Sequence, residues 1–121
     1  MEKLNGKKVL VTGASGAIGS AVVKQLAASG ALVFITGRDA ERLQQSADES
    51  GIPPERMVIA DLSNETDCRF LADRVNLDGR PLDILVNAAG IGIIKPFEQL
   101  STNDFERSMQ INFFAAVRLL H

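Results

Sequence analysis

The stretch "VTGASGAIGS" places Gly13, Gly16 and Gly19 between an apolar run, "KVLVT" at Lys8 to Thr12, and a helical pattern. Small residues at such a turn let the backbone approach a diphosphate, and the helix beyond presents unpaired N–H groups and the positive end of its dipole. A tight strand-to-helix turn would use the same glycines, so this spacing alone leaves both readings open. About 20 residues further on, a dinucleotide fold that prefers NAD carries a carboxylate for the ribose 2′-hydroxyl. Here the run "LVFITGRD" has Gly37 at that point and Arg38 beside it. Loss of the acid removes repulsion against a 2′-phosphate, and a guanidinium supplies charge-assisted, bidentate hydrogen bonds. The pair favours NADP over NAD as cofactor. The plainer alternative for Arg38 is a solvated loop charge, and Asp39 reads as a helix cap before a ribose ligand.

The elements that must position these residues alternate along the chain. Lys8 to Thr12 is a short strand, after which Ile18, Val22 and Leu26 recur every four residues until Ser29 and Gly30. Leu32 to Thr36 is a second strand, and Asp39 caps a helix to about Ser50 that "GIPP" ends. Met57 to Ala60 is a third strand, and Ser63 is expected to cap a helix whose Cys68, Leu71 and Val75 share a face. Leu82 to Val86 is a fourth strand, and "STND" at Ser101 to Asp104 fits a capping box that opens a last helix. Continuous apolar strands separated by helices predict an α/β, doubly wound (Rossmann) parallel sheet covered on both faces. The expected strand order is 3-2-1-4, with residues 1–121 forming a single domain.

Composition narrows the partners. At 121 residues, 45% hydrophobic and 23% charged, the chain is globular and large enough for one core. Its net charge of −2, with 13 scattered basic residues, argues against nucleic acid and anionic membrane as partners. Neither an apolar span of membrane length nor a signal-like N-terminus is seen, so a cytoplasmic protein is expected. The single Cys68 agrees with a reducing compartment and reads as a small core hydrophobe.

"TGASGAIG", "ADLS" after the third strand, "LVNAAG" after the fourth and an Asn in the following helix together resemble the N-terminal half of a classical short-chain dehydrogenase/reductase. The resemblance covers the whole chain. It implies that Gly13, Ser15, Gly16, Ile18 and Gly19 line the pyrophosphate and adenosine ribose. It also implies that Asp61 accepts from the adenine amino group beside the Leu62 backbone, although an Asp ending a strand and helping a helix begin is the structural alternative. Asn87, Ala89 and Gly90 would pass under the ribose and nicotinamide, with Asn87 also bracing neighbouring strands. Two positions depart from the commonest pattern: Ala17 stands where a glycine is usual, a spacing shared with the extended branch of the family, and Ala88 stands where Asn is frequent.

The reaction implied by the resemblance moves hydride between nicotinamide and a carbonyl or alcohol substrate, with a 3-oxoacyl thioester as one candidate. In the family a Tyr gives the proton, a Lys four residues later lowers its pKa, and a Ser orients the carbonyl. This sequence contains no Tyr. Ser101, Ser108, Lys95 and His121 read as cap, helix residue, loop residue and last residue. Asn112 lies in an apolar helical stripe with Phe105, Met109 and Ala116, and a buried amide there needs a partner. The resemblance makes Asn112 catalytic, holding a water chain to the active-site lysine; a tie between helix and strand is the alternative. The chain is therefore expected to be the cofactor-binding half of the enzyme, truncated before the later strands, with "LDILV" as an open edge. A homo-oligomer is expected for the full-length protein, and a non-catalytic NADP(H)-binding module is the rival reading.

Overall fold

The structure is a computed structural model that describes residues 4–90 and 96–109. The apolar runs become four parallel strands: β1 (Lys8–Thr12), β2 (Leu32–Gly37), β3 (Met57–Ile59) and β4 (Ile84–Asn87). They lie in the order β3-β2-β1-β4, as the sequence predicts. The register sets Val9 opposite Val33 and Ile84, and Val11 opposite Ile35 and Val86. Four helices follow the strands in turn: α1 (Ala17–Ala28), α2 (Ala40–Ser50), α3 (Glu65–Val75) and α4, described over Thr102–Met109.

Side chains that alternate along each strand feed two separate cores, which is why both faces need a helix layer. Val9, Val11, Val33 and Ile35 pack with Val23, Leu26, Leu43 and Ala47 of α1 and α2. Leu10, Phe34 and Val58 pack on the other face with Cys68, Leu71 and Val75 of α3. Cys68 is buried, in keeping with its reading as a core hydrophobe. Ile84, Leu85 and Val86 of β4 are only half-buried and Asn87 is exposed, and β4 pairs with β1 alone among the described strands. Among the described residues no helix is long and apolar enough to cross a membrane.

Two sequence expectations shift by one residue. The inward face of α1 is Gly19, Val23 and Leu26, whereas Ile18 is 77% exposed. The reason is contact: Gly19 must face the glycine turn, which rotates Ile18 outward. Helix α3 is capped by Asn64, whose Oδ1 accepts from the Thr66 and Asp67 N–H groups, and not by Ser63. Ser63 is already engaged, because its N–H and hydroxyl both donate to Asp61 Oδ1, at 3.0 and 2.7 Å. The expected caps of the neighbouring helices stand. Asp39 Oδ1 accepts from Arg42 N–H at 3.1 Å, and Ser101 and Asp104 cap each other reciprocally.

One anchor was invisible in the sequence. Lys8 is fully buried at the start of β1, and its ammonium donates to Val75 O, Asp78 Oδ1 and Arg80 O at 2.6, 2.6 and 2.9 Å. It lies 5.2 Å from the centre of the Phe34 ring. Its N–H donates to Asp83 Oδ2, so a single residue ties β1 to the segment between α3 and β4.

Candidate functional site

At the carboxyl ends of the strands, the turns after β1, β2, β3 and β4 enclose a cleft of about 530 Å³. This is the crevice where open α/β sheets take ligands. Gly13, Ser15 and Gly16 form one wall; Gly37, Arg38, Asp39 and Arg42 close one end; Ala60, Asp61 and Leu62 follow; Ala88, Ala89 and Gly90 form the far side. Of the residues singled out from the sequence, the cleft brings together Gly13, Ser15, Gly16, Arg38, Asp61, Leu62, Ala89 and Gly90. Ile18, Gly19 and Asn87 do not line its wall, and Asn112 lies outside the described residues.

The glycine turn is built by close approach. Gly13 has φ +65°, and a Cβ there would lie 2.6 Å from the backbone of Ala88 and Ala89, so the turns after β1 and β4 touch through bare backbone. A Cβ on Gly19 would sit 1.9 Å from the Gly13 carbonyl oxygen. Gly19 thus holds α1 against the turn from behind and has no place in the wall. Gly16 is the N-cap of α1 with no side-chain cap, and the first turn of α1 holds no acid. The N–H groups of that turn have no partners within the helix. The cradle therefore fits an anionic diphosphate, in geometry and in charge.

The remaining walls are braced from behind. Thr12 Oγ1 lies 3.4 Å from Asn87 Oδ1 and accepts from Ala89 N–H at 3.3 Å, so Asn87 braces β1 against β4. The Asp61 N–H donates to Asp67 Oδ2 at 2.8 Å, and its carboxylate holds Ser63, which fixes the turn after β3. At the end of β2, a Cβ on Gly37 would lie 3.0 Å from Ser15 Oγ. The Ser15 hydroxyl thus crowds the space that a side chain at Gly37 would need, and Arg38 is exposed next to it. Among the described residues Arg38 has no ion-pair partner, and no cluster of acids, His and Cys is placed to hold a metal ion. Arg42 also lines the cleft, and the sequence does not reveal it, because in the first turn of α2 it looks like any solvated helix residue.

The family model for short chain dehydrogenase matches residues 7–121. The nodulation protein G of Rhizobium sp. (strain N33) is 39% identical over 119 residues, which is 98% of this chain and 48% of that protein. The fatty acyl-CoA reductase of Acinetobacter baylyi is 34% identical over 98% of this chain and 42% of its own length. Among solved structures, a short chain dehydrogenase from Burkholderia cenocepacia in complex with NADP superposes with a TM-score of 0.85 at 37% identity. That superposition covers 97% of this chain and 49% of the other. The chain spans about half the length of the curated relatives it matches.

Proposed function

Because the chain belongs to the short chain dehydrogenase family, we propose that residues 1–121 are the dinucleotide-binding domain of an NADP-dependent oxidoreductase acting on a small carbonyl or alcohol substrate. The observation that carries this reading is one cleft in which the Gly13–Gly16 cradle faces an acid-free end of β2 with Arg38 beside it. In this reading the α1 N-terminus binds the pyrophosphate, Arg38 pairs with the 2′-phosphate, Asp61 and Leu62 hold the adenine, and Asn87, Ala89 and Gly90 flank the nicotinamide ribose. Gly19 keeps the cradle in place from behind, and the exposed Ile18 is left at its rim. The solved NADP complex among the neighbours supports the choice of NADP.

When bound, the nicotinamide supplies or accepts the hydride. The residues of this chain orient the dinucleotide and neutralise its charge. With no Tyr among its 121 residues, the chain contributes no phenolic proton donor. Asn112 is assigned the water chain that serves the catalytic lysine of the intact enzyme. A 3-oxoacyl thioester is one candidate for that substrate, and the fatty acyl-CoA reductase relative is itself named for a thioester. The intact protein is proposed to be a cytoplasmic homo-oligomer.

The test compares NADPH and NADH affinities of the parent and Arg38→Ala. The reading expects the NADPH preference to fall by about tenfold, the scale of a lost charge-assisted contact. An unchanged ratio would remove Arg38 from the site.

A further inference from the structure

The end of the cleft beyond β2 holds a second guanidinium. Arg42 lies in the first turn of α2, lines the same cleft as Arg38, and also lines an adjoining concavity of about 300 Å³ shared with Ser15. Its side chain is 73% exposed, and its Nε stands 3.7 Å from Asp39 Oδ2. The other oxygen of Asp39 accepts the Arg42 N–H, so Asp39 caps α2 and holds the base of the same arginine. The charged groups facing this end are Arg38, Arg42, Asp39 and, across the cleft, Asp61.

Resting on the reading of the cleft as an NADP site, we propose that Arg42 is a specificity-determining residue that shares the 2′-phosphate with Arg38, and that Asp39 opposes it. A 2′-phosphate carries nearly two negative charges at neutral pH, which one guanidinium does not balance. Arg38 and Arg42 together do. The carboxylate of Asp39 positions Arg42 through a loose ion pair, yet it also places a like charge beside the phosphate. Replacing Asp39 by Asn keeps an N-cap acceptor of equal quality and removes only the charge.

The experiment is a titration of the native gene product and its variants with NADPH and with NADH, read as the ratio of the two dissociation constants. Arg42→Gln retains helix propensity; it is expected to lower the NADPH preference about three- to tenfold. Asp39→Asn is expected to raise it about threefold. Opposite shifts from two residues of one ion pair are not produced by general loosening of α2, which would move both variants the same way. If Arg38→Gln lowers the preference while Arg42→Gln leaves it unchanged, the role of Arg42 is overturned and the NADP reading stands. If the parent binds neither dinucleotide, or binds NADH as tightly as NADPH, both fall together.

Discussion

A Cβ on Gly19 would stand 1.9 Å from the carbonyl oxygen of Gly13, closer than any two such atoms can come. The third glycine of the turn is therefore a packing residue, and the first is the surface that it supports. Gly19→Ala must push α1 away from β1, which costs about 2–3 kcal/mol in an overpacked contact and spoils the diphosphate cradle. Gly16→Ala is the control, because its Cβ would meet only Gly13 O, at 3.4 Å. Urea denaturation of the two variants should separate them clearly. Equal stability would show that α1 shifts freely.

The correction at α3 is directly measurable. Asn64 caps two N–H groups, whereas Ser63 is spent on Asp61. Asn64→Ala is expected to cost about 1 kcal/mol, the usual value of an N-cap. Ser63→Ala should cost less in stability and act instead on the turn that carries Asp61. A larger stability loss from Ser63→Ala would return the cap to Ser63.

Lys8 anchors the end of the sheet opposite the cleft. Lys8→Met removes a buried donor from two carbonyls and a carboxylate, an expected loss of about 2 kcal/mol. Because the cleft lies at the other end of β1, the preference of NADPH over NADH should not change in this variant. A changed preference would mean that the anchor and the cleft are coupled.

The same anchor predicts an acid response. The hydrogen bond from Lys8, and secondarily the Arg80 N–H, holds the Asp78 carboxyl below the ordinary carboxylate range. Folding thus favours the ionised form. Its contribution is complete above the unfolded carboxylate pKa, near about 4, and is lost as pH falls through the lower folded value. Thermal melts of Asp78→Asn should lose less stability than the parent over that acid range. Parallel curves would show that Asp78 adds no pH dependence.

Much of this arrangement is legible in the sequence because a parallel sheet buried on both faces needs uninterrupted apolar strands, and "KVLVT" and "LVFIT" are such runs. Gly13 and Gly16, Gly37 at the end of β2 and the "STND" capping box are local signals, and each stands where the sequence places it. What escapes the sequence depends on tertiary contact. The facing of Gly19 in place of Ile18 follows from the approach of α1 to the turn, and the use of Asn64 in place of Ser63 follows from the prior claim of Asp61. Lys8 is of a type that is seldom fully buried, so only the three acceptors gathered around its ammonium reveal it. Arg42 belongs to the cleft only because α2 starts at its rim.

The most direct measurement is a calorimetric titration of the native gene product with NADPH and NADH at one ionic strength. NADPH should bind saturably and more tightly than NADH by about tenfold or more, as expected where guanidinium groups replace the ribose-binding acid. Binding of neither dinucleotide, or equal affinity for both, would contradict the NADP reading.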